Sequence, residues 1–247
     1  AGRSSAEAGR GATAAADDPF RVLQICLDLD LPGPALRRAV DAMAASGGLE
    51  HAVDPVLEAV RAGGAAAAAA WEVIRSPATV RSLLGGVPPD FRALDALLPH
   101  LDGHGLGPLF DLLIESAERH ARRAAFDRLR RAGRLAAVGA LARLADDRWY
   151  VLRNLLALLA EIDDLPPAVD PIPWLGHADA RGRREALRGA LRRDAARDRA
   201  VWTALGDPDD RMRLAAIQAV SARPSAAAAP RLINLARPEP LDDALRA

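Results

Sequence analysis

Apolar runs with helical patterning recur along this chain, separated by Gly, Pro or acidic turns, and in the second half the pattern repeats. Asp146-Asp147-Arg148-Trp149-Tyr150-Val151-Leu152-Arg153 has its outline copied at Asp179-Ala180-Arg181-Gly182-Arg183-Arg184 and again at Asp209-Asp210-Arg211-Met212-Arg213. Each copy holds an acid, a short gap, an Arg and then an apolar helical run. A unit recurring at about 30 residues predicts stacked helix pairs that share one continuous core. The predicted pairs are 106–116 with 118–132, 135–145 with 147–162, 167–175 with 180–193, and 196–205 with 209–221. A last helix, 226–236, has a truncated partner. Leu129, Leu159, Leu191 and Val220 fall at equivalent core positions, spaced 30, 32 and 29 residues apart, with room for one-residue offsets between copies.

Before this array the punctuation predicts shorter helices: Pro34 to Ala45, Leu49 to Ala62, Ala65 to Arg75, Thr79 to Leu84 and Pro89 to Leu98. Gly47-Gly48 and Gly63-Gly64 are stop signals, while Asp17-Asp18-Pro19 is a start signal. Residues 1–16 offer little to bury and read as a flexible linker. The predicted organisation is a linker over 1–16, a degenerate helical part over 17–105 and regular repeats over 106–247. The chain starts at Ala1 without Met, which suits a module belonging to a longer chain or assembly.

Composition sharpens the fold class. At 50% hydrophobic and 4% aromatic in 247 residues, with Ala and Leu dominant, the chain favours packed small helices over sheets. The expectation is an all-α fold, an α-solenoid of stacked antiparallel helix pairs.

The acidic inter-helix turns, Ala145-Asp146-Asp147 and Gly206-Asp207-Pro208-Asp209-Asp210, each followed by Arg and small or apolar residues, resemble HEAT repeats. The likeness is greatest to the short bacterial variety also found in phycobilin lyases, and it covers roughly the last 140 residues. It implies a HEAT-like fold and leaves activity open, because that family includes scaffolds, lyases and nucleic-acid-binding members. Asp147, Asp179 and Asp209 or Asp210 stand where second helices begin; a carboxylate there caps free N–H groups and complements the helix dipole. The resemblance implies that these acids and Arg153, Arg184 and Arg213 form a ladder between neighbouring repeats.

All 33 basic residues are Arg. Without Lys there is no side-chain Schiff base and no Walker A loop. The formal net charge of zero provides no global field toward nucleic acid or an acidic membrane. Two segments nevertheless carry Arg in excess, 119–134 and 181–199, and aligning Leu129 with Leu191 superposes Arg119 on Arg181, Arg122 on Arg184 and Arg130 on Arg192. Two basic helices would then flank the Trp149-Tyr150 helix. If second helices line a concave groove, the candidate partner-binding residues are Arg119, Arg122, Arg130, Trp149, Tyr150, Arg181, Arg188 and Arg192. The plainer reading is solvated helix faces, with the aromatics packed between repeats.

Little suggests chemistry. Cys26 is the single cysteine, which excludes an intrachain disulfide and a thiolate-rich zinc site. His100-Leu101-Asp102-Gly103-His104 reads as a polar inter-helix loop, and His177 lies in another turn. No nucleophile elbow, HExxH or dinucleotide fingerprint occurs, and no apolar run reaches membrane-spanning length. The expectation is a non-enzymatic cytoplasmic scaffold without cofactor or metal, binding another protein through an acidic segment. Nucleic-acid binding in the manner of HEAT-like DNA glycosylases is one alternative. A lyase or chaperone for a chromophore-carrying protein is another.

Overall fold

A computed structural model describes residues 18–146, 148–166, 169–225 and 228–236. The regular elements among the described residues are all helices, with no strand. They form two compact units whose junction falls at Leu112 and Leu113.

The first unit contains α1 (Pro19–Asp28), α2 (Pro34–Ser46), α3 (Glu50–Arg61), α4 (Ala65–Ile74), α5 (Pro77–Gly85) and α6 (Phe91–Leu97), then a 3-10 turn at Leu98–His100. Helix starts follow capping chemistry: Asp18 accepts from the Phe20 amide at 3.1 Å and Asp90 from the Ala93 amide at 3.0 Å. Ser76 does the same for Thr79, with Pro77 at the first helical position. That cap starts α5 two residues earlier than the pattern around Thr79 predicts. The Ala-rich α4 packs against α1, α2, α3 and α5. Its Ala66, Ala67 and Ala70 are buried, since side chains this small let four neighbours approach one helix closely. Gly64, which precedes α4, has no side chain to cap it. Asp30 supplies the cap from 36 residues away, its Oδ1 accepting from the Ala66 amide at 2.7 Å. Asp30 itself sits in the left-handed region with φ 48°, where Asp is one of the few tolerated side chains.

α7 (Gly107–Glu115) carries the junction. The second unit continues with α8 (Arg119–Ala132), α9 (Arg134–Leu141), α10 (Trp149–Glu161), a 3-10 turn at Ile172–Gly176, α11 (Ala180–Leu191), α12 (Asp194–Ala204), α13 (Asp210–Ala222) and α14 (Ala229–Ala236). α10 packs against both α8 and α11, and α11 against α10 and α13; α9 and α12 cover the seams α8/α10 and α11/α13. The core around α11 is built from Leu152, Leu156, Leu175, Ala186, Leu187, Ala190, Val201, Leu205 and Met212. The α10–α11 contact is close because α11 presents Gly182 and Gly189 to it. A Cβ on Gly182 would stand 3.5 Å from Leu152 Cδ2, and one on Gly189 would stand 3.6 Å from Ala160 Cβ.

Two expectations need correction. The helix expected over 167–175 is absent from its described part: Pro167 and Ala168 lie outside the described residues, 169–171 are not helical, and a 3-10 turn forms at Ile172–Gly176. Pro171 and Pro173 remove amide donors that an α-helix would require there. The register set by Leu191 is also one residue late. Ala190 is fully buried where Leu129 and Leu159 sit in their own helices, and Leu191 is only half-buried. The leader 1–16 lies outside the described residues.

Candidate interaction surface

The second-unit helices α8, α10, α11 and α13 start alike. Their N-cap residues, Glu118, Arg148, Asp179 and Asp209, recur at intervals of 30, 31 and 30, all extended with φ from −82° to −73° and ψ from 113° to 122°. Four residues after the cap comes an Arg in three of the four. Arg122 Nη1 donates to the carbonyls of Ser116 and Ala117 at 2.7 and 2.8 Å. Arg183 Nη1 does so to His177 and Ala178 at 2.8 and 2.9 Å, and Arg213 Nη1 to Asp207 and Pro208 at 2.8 and 3.3 Å. Each guanidinium thus folds back and ties down the turn leading into its own helix. In α10 the same position is Leu152, which enters the core instead. The equivalent of Arg122 is therefore Arg183, not Arg184, and Arg122 serves the turn rather than standing free for a partner.

A cation at a helix N-terminus opposes the helix dipole, so these turns need acid nearby. Asp179 caps α11 through the Arg181 amide at 2.7 Å, and its other oxygen pairs with Arg181 Nη2 at 2.9 Å; those bonds hold its carboxyl far below the usual range. Asp209 caps α13 through the Met212 amide at 3.1 Å. Asp210 lies in the first turn of α13, where its carboxylate meets Arg213. Asp147 lies outside the described residues; its neighbour Asp146 accepts from the Arg148 amide at 2.9 Å.

The ladder between successive helices is carried mainly by residues that the repeat pattern did not single out. Arg183 makes a two-pronged pair with Asp207, Nε to Oδ2 at 2.8 Å and Nη2 to Oδ1 at 2.9 Å. These side chains are only 11% and 5% exposed, so the pair is scarcely screened. Burial alone would raise the Asp207 carboxyl, but the Arg183 bonds and the Asp209 amide reverse that and hold it low. Beside it Arg184 meets Asp209 at 3.4 Å. Arg153 is not a ladder member among the described residues. It bonds Asn154 Oδ1 at 2.7 Å and stands over the Trp149 ring at 5.5 Å. Asp207 was visible in sequence within Gly206-Asp207-Pro208, but helix-start logic favours the acids nearer the helix.

Trp149 and Tyr150 open α10. The Arg181 guanidinium lies 3.3 Å from the Trp149 ring centroid, a stacked cation–π contact between α10 and α11. The Tyr150 ring meets Trp149 edge-on at 6.0 Å, and its hydroxyl accepts from Arg148 at 3.2 Å. Arg148 also binds Asp146 at 2.8 Å and reaches Glu115 at the end of α7 at 2.8 Å. Bonding to Asp146 first, then Glu115 and Tyr150, keeps this guanidinium firmly charged.

The remaining candidate cations divide in two. Arg188 contacts Glu161 at 3.2 Å and Glu185 at 3.0 Å, and Arg192 contacts Asp163 at 2.6 Å; each lies along the α10–α11 seam. The side chains of Arg119 and Arg130, both exposed on α8, have no hydrogen-bonding or ionic partner among the described residues. They are 11 residues apart, about three helical turns, so they share one face at a separation of about 16 Å along the axis.

The histidine motif is a turn. Asp102 Oδ1 accepts from the Gly105 amide at 2.8 Å, which with burial opposing it lowers the carboxyl, and His100 packs edge-on against Trp71. His177 Nδ1 accepts from the Asp179 amide at 3.0 Å, and Cys26 is buried. Among the described residues no group of three or more His, Cys, Asp or Glu could hold a metal ion, and no helix is long and apolar enough to cross a membrane. No family model, curated protein or solved structure matches the chain.

Proposed function

We propose that residues 113–236 form a HEAT-like α-solenoid that holds a partner protein along the face of its second helices, α8, α10, α11 and α13. The observation that carries this reading is the recurrence at 118, 148, 179 and 209. Each helix starts with the same backbone geometry and packs on the next. An array of this kind extends a surface by repetition without altering its core, which suits binding rather than a compact catalytic centre.

The partner's contact would be an acidic segment, met first by Arg119 and Arg130, whose side chains have no ionic partner among the described residues. Arg181, Arg188 and Arg192 already pair with acids, so they lend shape and orientation more than net charge. That interleaving of Asp and Glu with Arg also disfavours a phosphate backbone, which needs a continuous basic track.

The test is affinity capture from the source organism's lysate using wild type and the Arg119→Glu/Arg130→Glu double variant. A specific protein retained at high salt by wild type, and lost by a variant of unchanged helicity and melting, supports the reading. Nucleic acid as the sole captured species, released by salt, refutes it, as does a protein bound equally well by both.

A further inference from the structure

A cavity of about 400 Å³ lies between residues 165–166 and 169–172 on one side and the first turns of α12 on the other. One wall is apolar, formed by Leu165, Val169, Pro171 and Ile172. The polar lining consists of Arg193, Arg199 and Asp170. Each Arg from Arg181 to Arg192 pairs with an acid; among the described residues the two in this cavity do not. Arg193 Nη1 donates to the Val169 carbonyl at 2.5 Å, and no carboxylate lies within ion-pair distance of Arg193 or Arg199 among the described residues. Asp170 is turned to its own loop, where Oδ1 accepts from the Ile172 amide at 3.0 Å. Burial disfavours the charged form of Arg193, with Asp170 only partly opposing this. A half-buried guanidinium with spare N–H groups and, among the described residues, no carboxylate within ion-pair distance is an incomplete arrangement that an incoming anion would complete.

We propose that this cavity binds a small amphipathic carboxylate, its head between Arg193 and Arg199 and its tail against Leu165, Val169 and Ile172. A carboxylate fits better than a phosphate for two reasons. The planar guanidinium fork matches a carboxylate, and Asp170 at the rim repels a dianion more strongly than a monoanion. The volume lies within the range of ligand pockets, and the apolar wall gives a tail somewhere dry to sit. This site shares no residue with the surface on α8, α10 and α11, so its fate is separate from that of the partner-binding reading.

The experiment is titration of the full chain with butyrate, hexanoate, the neutral hexanamide and inorganic phosphate, followed by amide chemical shifts and calorimetry. Affinity should rise from butyrate to hexanoate by up to about fourfold per methylene buried. Hexanamide and phosphate should each bind at least about tenfold more weakly than hexanoate. Arg199→Ala, which removes an exposed side chain without a partner among the described residues, should weaken hexanoate about tenfold while leaving the melting temperature unchanged. Arg193→Gln should weaken it further. The proposal fails if hexanoate shows no saturable shifts at Val169 to Ile172, if hexanamide or phosphate binds as tightly, or if Arg199→Ala changes nothing.

Discussion

Removing one carboxylate, that of Asp207, should reveal what joins α11 to the turn before α13. The side chain accepts three hydrogen bonds: two from Arg183 at 2.8 and 2.9 Å, and one from the Asp209 amide at 2.8 Å. With only 5% of the Asp207 side chain and 11% of Arg183 exposed, water cannot replace those bonds without opening the turn. Asp207→Ala leaves the Arg183 fork with carbonyl acceptors alone, and breaking a buried pair in this way costs about 3–5 kcal/mol. For a chain of this size that corresponds to a drop in melting temperature of roughly 6–20 °C. Asp207→Asn keeps an acceptor for the Asp209 amide and should lose about half as much. Arg183→Met/Asp207→Leu should cost less than the two single changes together, because no charge is left stranded.

Urea titration followed by circular dichroism measures these differences without adding ionic screening. The pH dependence has a fixed sign. Because the folded-state carboxyl is held below its ordinary value, its contribution is full above about pH 5 and is lost as pH falls through the folded value. The gap between wild type and Asp207→Ala should be flat from about pH 5 to 8 and should narrow only as pH falls below the ordinary carboxylate range. A loss below about 1 kcal/mol, or a gap that vanishes in about 1 M salt, would show that the pair behaves as an exposed one and refute the argument.

Three further changes probe other contacts. Gly189→Ala should be neutral or stabilise by up to about 1 kcal/mol, since its Cβ meets Ala160 at an ordinary 3.6 Å; Gly189→Leu should destabilise by about 1–3 kcal/mol, measured by thermal unfolding. Asp30→Ala should cost about 1–2 kcal/mol and speed hydrogen exchange at the Ala66 amide, whereas Asp30→Asn should change exchange there little. Trp149→Ala should lower stability by about 1–2 kcal/mol through loss of the Arg181 stack; an unchanged melting temperature would mean that the ring is free to serve a partner.

Most of the helices were legible because their signals are local. Pro19 and Pro34 mark starts, and Gly47 and Gly63 mark stops, where left-handed φ values of 96° and 89° favour glycine. The start of α5 at Pro77 needed the Ser76 cap to be weighed with the proline. The stretch 169–175 departs from the expected α-helix because Pro171 and Pro173 lack the amide donors one requires, although its spacing suits a helix. The ladder was the least legible part, since a period of about 30 residues permits a one-residue slip, and that slip exchanges Arg183 for Arg184. Burial separates the two: the more deeply enclosed Arg183 takes the two-pronged pair, and its neighbour takes the looser one. Sequence also cannot show which cations are already matched. Arg188 and Arg192 look as available as Arg119 and Arg130 until Glu161 and Asp163 come close.

The turn clamps at Arg122, Arg183 and Arg213 also bear on how the protein meets alkali. An ammonium in their place would begin to discharge near pH ~10.4, releasing the carbonyls it held. A guanidinium keeps its proton throughout the range in which a peptide chain survives. The two turns clamped by Arg183 and Arg213, which also hold Asp179, Asp207 and Asp209, therefore have an acid limit set by those carboxylates and no matching basic one in the clamp itself. Arg183→Lys should accordingly leave the acid side of the unfolding profile as it is and bring in a loss of stability on the alkaline side.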